Sequence, residues 1–186
     1  MTTWLVSDTH FCHENVIKFM DTRNMFISVE EMNNTIIGEW NATVSNQDEV
    51  IHLGDFIFGK DLEKGQEIID NLQFKKLTLV VGNHDTPYKI KNLYAKNESI
   101  SIASLLTDNE FIFTHYPINS ELLEETCYRS NGINERYNIH GHIHDRHLRD
   151  KRYLNINWDV RPSGKHFITL DEAKTILTNR INKDTE

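Results

Sequence analysis

Residues 77–85 are LTLVVGNHD, an apolar run followed at once by a glycine and three polar side chains. Leu, Val and Thr over five consecutive positions are typical of a buried β-strand. Gly82 ends this run, and Asn83, His84 and Asp85 follow it. In sheets built from alternating strands and helices, ligand sites lie beyond the carboxyl ends of the strands. The stretch therefore predicts a strand that delivers three polar side chains to one edge of a sheet.

Four other strand candidates end in the same way, each followed by a carboxylate or a histidine. The residues that follow these four strands are Asp8 and His10, Asp55, His115, and His142 with His144. Each short motif is weak by itself, because Asp-x-His or Gly-Asp occurs by chance in many chains. The ordered set, with every member at a strand end, is a specific signal, and we expect these side chains to converge in space.

The chemistry of this set points to a metal site. Its members offer carboxylate and amide oxygens and imidazole nitrogens, which suit Mn, Fe or Zn better than Ca. No cysteine belongs to the set, which argues against a structural zinc site. Side chains two positions apart in an extended chain point the same way, so Asp8 with His10, and His142 with His144, can each present two donors together.

The remaining pattern predicts an α/β or α+β domain that covers residues 1–186, with helices on the faces of sheets. Strand candidates are Thr3–Ser7, Glu49–Leu53, Leu77–Val81, Glu110–Thr114, Asn138–Gly141, Tyr153–Asn157 and His166–Leu170. Helix candidates are Ser28–Val44, Leu62–Leu72 and Glu172–Ile181, the first with a capping box from Ser28 to Glu31 and the last capped by Asp171. Residues 11–26, partly helical at best, and the polar residues 118–136 resist assignment, and long irregular segments of this kind are often binding loops.

Composition limits the classes of partner and compartment. The formal net charge of −8 disfavours a protein that coats nucleic acid, although a metal site can bind a nucleotide locally. Two cysteines give no disulfide framework, and the amino-terminal sequence lacks the pattern of a signal peptide. No apolar stretch approaches the roughly 20 residues of a membrane helix. The expected location is the cytoplasm, without a membrane partner.

Taken together, the five motifs resemble the pattern of the calcineurin-like metallophosphoesterase superfamily, in its small bacterial and phage form. The resemblance implies two packed mixed β-sheets flanked by helices in a four-layer sandwich, with a binuclear metal centre. It implies a first metal held by Asp8, His10, Asp55 and His144, and a second held by Asp55, Asn83, His115 and His142. It also implies that His84 lies beside the metals as the catalytic general acid and that Asp85 orients His84.

The activity implied is hydrolysis of a phosphoester by water activated between two metals, which typically lie about 3.5–4 Å apart. His84 would protonate the leaving oxygen, and a nearby carboxylate such as Asp85 would favour the protonated imidazole. Mn²⁺ is the expected ion, with Fe and Zn as alternatives. His13, three residues beyond His10, is a candidate for substrate binding. Residues 154–160 resemble a structural strand of small members of the superfamily, and we expect no catalytic role there.

Several substrates and one non-catalytic function stay open. Protein phosphatases of the superfamily carry Asp-Arg-Gly after Gly-Asp, whereas Phe56 and Ile57 stand here after Asp55, which disfavours that activity. The expected substrate is a small phosphoester, such as a nucleotide, cleaved as a monoester or a diester. The alternatives are a nucleolytic diesterase that acts on nucleic acid and a metal-binding scaffold without catalysis. The sequence predicts no oligomeric state.

Overall fold

The computed structural model describes residues 1–128, 136–160 and 165–182. These residues form nine strands in two sheets, together with six helices. The strands are β1 (Thr3–Val6), β2 (Glu49–His52), β3 (Lys76–Val80), β4 (Ile100–Ala103), β5 (Leu106–Thr107), β6 (Phe111–Thr114), β7 (Tyr137–His140), β8 (Tyr153–Asn155) and β9 (Ile168–Thr169). The helices are α1 (Val16–Phe19), α2 (Val29–Thr43), α3 (Leu62–Asn71), α4 (Pro87–Asn92), α5 (Ser120–Tyr128) and α6 (Leu170–Asn182).

Both sheets are mixed. The first has the order β4-β3-β2-β1-β9, in which β9 alone is antiparallel to its neighbour. The second has the order β5-β6-β7-β8, in which β5 is antiparallel and the other three strands are parallel. The parallel strands of each sheet have their carboxyl ends at one edge, which is where the predicted site residues follow them.

Alternation along the strands divides the core into layers, because successive side chains point to opposite faces. Leu5 lies in the cluster between the sheets, where Ile139 of β7 meets it. Val6 lies in the cluster on the other face of the first sheet, with Trp40 of α2 and Ile68 of α3. On the outer face of the second sheet, α5 contributes Leu123 to a small cluster with Ile112 and Tyr153. The predicted fold of two packed mixed sheets flanked by helices is confirmed.

The helices begin where local capping chemistry allows. Ser28 accepts a hydrogen bond from the backbone N–H of Glu31 at the start of α2, as predicted. Asp61 caps α3 in the same way, and Thr86 caps α4 ahead of Pro87. Each cap gives a partner to a backbone N–H that the helix itself leaves unpaired.

Some predictions about local structure were wrong. Helix α6 begins at Leu170, and Asp171 lies inside it; the hydroxyl of Thr169 accepts the N–H of Glu172 instead. The segment 118–136 is helical over α5, although residues 129–135 lie outside the described part of the chain.

The segment 11–26 is partly helical, as expected: it forms α1 and a 3₁₀ turn at Asp21–Arg23. Strand β8 ends at Asn155, and a 3₁₀ turn at Trp158–Val160 follows it. Within the described residues, no helix has the length and apolar character needed to span a membrane.

Candidate metal centre

The predicted site residues come together where the carboxyl ends of the two sheets meet. The chain after β1 runs beside the chain after β2, because the Asp8 and His10 N–H groups donate to the carbonyls of Gly54 and Asp55. The N–H of His142, which follows β7 of the second sheet, donates to Oδ2 of Asp8 at 3.0 Å. Hydrogen bonds thus hold motifs from both sheets against one another.

The backbone at this edge is unusual. In the described part of the chain, six residues other than glycine have a positive φ, between 49° and 66°. One is Cys12, and the other five are all predicted metal ligands: Asp8, His10, Asp55, His142 and His144. A left-handed conformation costs a residue with a Cβ roughly 1–3 kcal/mol and is found mainly at functional sites. These turns direct the side chains inward, and they contradict the simple picture of an extended Asp-x-His.

Asp55 lies at the centre of the cluster. Its Oδ2 is 3.6 Å from Nε2 of His10, 3.5 Å from Nε2 of His115 and 3.9 Å from Nε2 of His84. Its Oδ1 accepts the backbone N–H of His84 at 2.7 Å. One carboxylate is therefore within reach of two separate groups of histidines.

The first group of potential metal ligands contains Asp8, His10 and His144, whose ligand atoms lie within 4.8 Å of one another. Oδ2 of Asp8 accepts from Ser7 and His142, but its buried Oδ1 has no hydrogen-bond partner, and neither has either ring nitrogen of His10. Buried polar atoms without partners are costly, and a cation beside them would remove that cost. The residues present therefore fit a metal ion.

Burial also shifts the titration of this group. Desolvation raises the pKa of Asp8 to about 6, although the neighbouring His115 and Ser7 oppose the shift. Desolvation, with the charge of Arg23 next, holds the pKa of His10 well below its usual value, so its imidazole is neutral. A neutral imidazole is the form that binds metals.

The second group contains Asp55, His115 and His142, again within 4.8 Å. The Nδ1–H of His115 donates to the carbonyl of Leu53 at 2.7 Å, so Nε2 of the neutral ring carries a lone pair. That Nε2 lies 2.9 Å from Oδ1 of Asn83 and 3.5 Å from Oδ2 of Asp55, both of which are acceptors. Three acceptors that converge in this way form a site for a cation.

Glycines allow the strand ends to approach the carboxylates. A Cβ on Gly82 would overlap Oδ1 of Asp55, and a Cβ on Gly141 would overlap both Oγ of Ser7 and Oδ2 of Asp8. The Gly-Asn-His-Asp and Gly-His-x-His motifs therefore begin with glycine because a side chain there would displace a ligand.

His84 differs from the other histidines in its exposure. Its side chain is 39% exposed, compared with 3% for His10 and 1% for His115. Its potential ligand atom still lies within 4.8 Å of those of His10 and Asp55. By distance alone, His84 could either bind an ion or lie beside one. Its exposure places His84 at the mouth of the site.

The carboxylate of Asp85 is buried beneath the site. It accepts the N–H groups of Gly82, Asp55 and Phe56, and the hydroxyl of Tyr94. None of these described bonds goes to the imidazole of His84. The described bonds of Asp85 therefore fix the turn from which His84 projects.

Aromatic rings form the rim of the site. His13 stacks on Phe58 with ring centroids 3.7 Å apart, and Phe58 contacts the ring of His84 edge-on. On the other side, the half-exposed Tyr116 lies 4.1 Å from the ring of His142. His13 is thus beside the metal-binding residues, where the sequence suggested a substrate contact, and the aromatic partners were not foreseen.

Sequence reasoning also missed two residues behind the site. Asp159, in the segment expected to have no catalytic role, accepts a hydrogen bond from Nδ1 of His144 at 2.8 Å. Arg23 lies fully buried against Asp159. The sequence offered one sign of this pair: Asp159 stands between the apolar residues Trp158 and Val160, and a carboxylate buried among apolar side chains needs a charged or hydrogen-bonding partner.

Comparisons with known proteins agree with this arrangement. The profile of the Calcineurin-like phosphoesterase superfamily domain matches residues 1–162. The chain is 33% identical over 153 residues to the uncharacterized protein MJ1445 of Methanocaldococcus jannaschii, covering 82% of this chain and 74% of that one. It is 26% identical over 211 residues to the Gene 66 protein of Mycobacterium phage L5, covering 98% and 96%. The solved structure of the protein of unknown function AQ665 from Aquifex aeolicus matches its fold with a TM-score of 0.64 at 22% identity, covering 94% and 98%.

Proposed function

The chain belongs to the calcineurin-like phosphoesterase superfamily, and from that premise we propose that it hydrolyses small phosphoesters at a centre of two divalent cations. Membership makes it a metal-dependent phosphoesterase; the number of ions, the substrate and the roles of individual residues are the proposal. One observation carries it: Oδ2 of Asp55, a member of the second group of potential ligands, lies 3.5 Å from Nε2 of His115 in its own group and 3.6 Å from Nε2 of His10 in the first group.

The ligand assignment follows these groups. The first ion would be held by Asp8, His10, Asp55 and His144, and the second by Asp55, Asn83, His115 and His142. Bound divalent cations supply Lewis acidity, which offsets charge on phosphoryl oxygens and makes a water molecule a better nucleophile near neutral pH. Mn²⁺ is the proposed ion, because all seven ligands offer nitrogen or oxygen and none offers sulfur.

His84 is the proposed proton donor. A leaving alkoxide needs a proton, and a histidine can supply it and then recover one from solvent. His84 is suited to this because 39% of its side chain is exposed, whereas the neighbouring ring of His10 is buried. The N–H of His84 is fixed on Oδ1 of Asp55, so its ring stays beside the shared carboxylate.

The rim favours substrates that carry an aromatic group, and a nucleotide is the proposed class. Tyr116 is half exposed beside His142, and Phe58 is partly buried with His13 stacked on its ring; planar bases stack on exposed aromatic faces such as that of Tyr116. Nδ1 of His13 accepts the N–H of Val16, so its proton lies on Nε2, where it can donate to a phosphate or sugar oxygen. The net charge of −8 disfavours long nucleic acids.

The proposal is tested by hydrolysis of bis-p-nitrophenyl phosphate and p-nitrophenyl phosphate, with Mn²⁺ or with chelator. We expect hydrolysis that requires the ion and that is lost in Asp55→Ala. His84→Ala is expected to keep both ions and to lose about 10²–10⁴-fold in turnover, most of all with poor leaving groups. The exposed His147 provides a matched control, since His147→Ala should leave turnover unchanged.

Two outcomes would contradict the proposal. If neither ester is cleaved with Mn²⁺, Fe²⁺ or Zn²⁺, catalysis is excluded and the scaffold alternative stands. If His84→Ala loses an ion, His84 is a ligand rather than the proton donor. Cleavage of oligonucleotides in preference to mononucleotide esters would replace the small substrate with nucleic acid.

A further inference from the structure

A buried arginine lies directly behind the first group of ligands. The side chain of Arg23 has no exposed surface. Its Nη2 donates to the carbonyl of Asp8 at 2.6 Å and its Nη1 to the carbonyl of Thr9 at 2.8 Å. These are consecutive carbonyls of the left-handed turn that carries Asp8 and His10. Arg23 therefore holds the backbone of the turn from which two of the proposed ligands project.

The same guanidinium holds a carboxylate. Nε of Arg23 donates to Oδ1 of Asp159 at 2.8 Å, and Nη2 donates to Oδ2 at 3.1 Å. Asp159 is also buried. Its Oδ1 accepts from the hydroxyl of Thr22 as well, and its backbone N–H donates to Oδ1 of Asn157. The two charges neutralise one another inside the fold, and the fork fixes the carboxylate in one orientation.

The orientation of Asp159 determines the tautomer of His144. Oδ2 of Asp159 is 2.8 Å from Nδ1 of His144, and an ionised carboxylate can only accept. The buried guanidinium of Arg23, which donates to both oxygens, is the charge partner of this ionised carboxylate. The proton of a neutral His144 therefore lies on Nδ1, and Nε2 keeps the lone pair that a metal needs.

Among the described residues, no matching pair of arginine and carboxylate stands behind the second group of ligands. His115, the corresponding buried histidine there, donates its Nδ1–H to the uncharged carbonyl of Leu53. A carboxylate partner makes a histidine a more basic ligand than a carbonyl does. The two groups thus differ in what stands behind their histidines.

We propose that Arg23 and Asp159 are positioning residues for the first ion alone, and that they make the group of Asp8, His10 and His144 the tighter of the two ion sites. The inference rests on the proposed two-metal function. It assigns a role in metal binding to two residues that touch neither substrate nor ion, and it predicts that the ions bind in sequence.

The test is a calorimetric titration of the metal-free protein with MnCl₂. Wild type is expected to bind two ions with unequal affinities. Asp159→Asn removes the negative charge that stands behind Nδ1 of His144 and one of the acceptors of the Arg23 fork. We expect it to weaken the tighter ion about 10–100-fold and to leave the weaker ion unchanged. Arg23→Lys, which keeps the charge and removes the fork, should weaken the same ion.

Thr22→Val is the matched control. It removes a hydrogen bond to Oδ1 of Asp159 but leaves His144 and the turn at Asp8 untouched, so we expect wild-type affinities. A purely structural role would appear as equal weakening of both ions in Asp159→Asn, and this result would overturn the proposal. Unchanged affinity of both ions would overturn it as well.

A second measurement does not depend on a variant that folds or on bound metal. The ¹⁵N shifts of the His144 ring in the metal-free wild-type protein, recorded at a pH where the ring is neutral, report its tautomer. We expect the proton on Nδ1. A proton on Nε2 would refute the positioning role even if the protein is an active phosphoesterase. Conversely, an Nδ1 proton in a protein that binds one ion or none would refute the two-metal proposal and leave this contact intact.

Discussion

Replacing Gly141 by alanine tests whether the glycines of the motifs are required by packing against the ligands. The added Cβ would overlap Oγ of Ser7 and Oδ2 of Asp8 and would lie 2.8 Å from Cβ of Ser7. These atoms have little freedom to move, because Ser7 and Asp8 are fully buried and Oγ of Ser7 lies within hydrogen-bond distance of two acceptors, Oδ2 of Asp8 and the carbonyl of Leu53. Either the carboxylate of Asp8 or the turn at Gly141 must be displaced.

The magnitude follows from the cost of overpacking. Inserting a methyl group into a close-packed interior costs about 1–3 kcal/mol. For a chain of 186 residues, 2 kcal/mol lowers the melting midpoint by roughly 4–8 °C. Because Oδ1 of Asp8 is a proposed ligand, the same displacement should weaken the first ion. Urea denaturation of the metal-free protein measures the first effect, and titration with MnCl₂ measures the second.

Gly38 offers a control with the opposite sign. It lies within α2, is exposed, and has no atom within 4 Å of an added Cβ. Gly38→Ala should stabilise the protein by about 0.5–1 kcal/mol, since glycine is unfavourable inside a helix. Adding Ser7→Ala to Gly141→Ala removes the nearest overlap and should recover part of the loss. If Gly141→Ala matches wild type in stability and in metal affinity, the packing argument is refuted.

Three further results are expected. First, burial lowers the pKa of His52 to about 3, while the unfolded chain titrates near 6.5, so the free energy of unfolding should fall as the pH drops from about 6.5 towards 3. His52→Phe should flatten this pH dependence in urea denaturation. An unchanged pH dependence in the variant would contradict this account of His52. Second, Asp85→Asn should lower the free energy of unfolding by about 1–3 kcal/mol in urea denaturation, because an amide cannot accept all the hydrogen bonds that this carboxylate accepts. An unchanged free energy of unfolding would show that the hydrogen bonds to Asp85 contribute little to stability. Third, Mn²⁺ at 100 times its Kd should stabilise the folded protein by about 2.7 kcal/mol per ion, relative to the same protein in chelator. Calorimetry should then show a melting midpoint roughly 5–10 °C higher per ion with Mn²⁺ than with chelator. Equal midpoints would argue against an ion bound to the folded state.

The sequence predicts the central strands well and the periphery poorly. Strands β1, β3 and β6 are mostly apolar, so their pattern is clear, and β2 and β7 mix apolar residues with polar ones such as His52 and His140. The edge strand β4 alternates Ile100 and Ile102 with serine and alanine and is only partly covered, so its pattern is weak. Helix α5 was missed because few of its residues are apolar; Leu123 is its buried anchor.

For the site, residue types could be predicted and the geometry could not. The motifs identify the ligands by chemistry, and all of the predicted ligands meet at one edge. The left-handed turns at Asp8 and Asp55 leave no trace in residue type, because aspartate is also common in ordinary loops. The pairing of Arg23 with Asp159 joins residues 136 positions apart, and a single sequence offers no signal that would bring those two together.

The most direct test of the account is anomalous diffraction at the manganese edge from crystals grown with Mn²⁺. The account predicts two peaks, both within coordination distance of a carboxylate oxygen of Asp55. The other ligands are expected to be Asp8, His10 and His144 for one peak and Asn83, His115 and His142 for the other. A single peak, or peaks that do not contact Asp55, would contradict the two-metal centre on which the proposed hydrolysis depends.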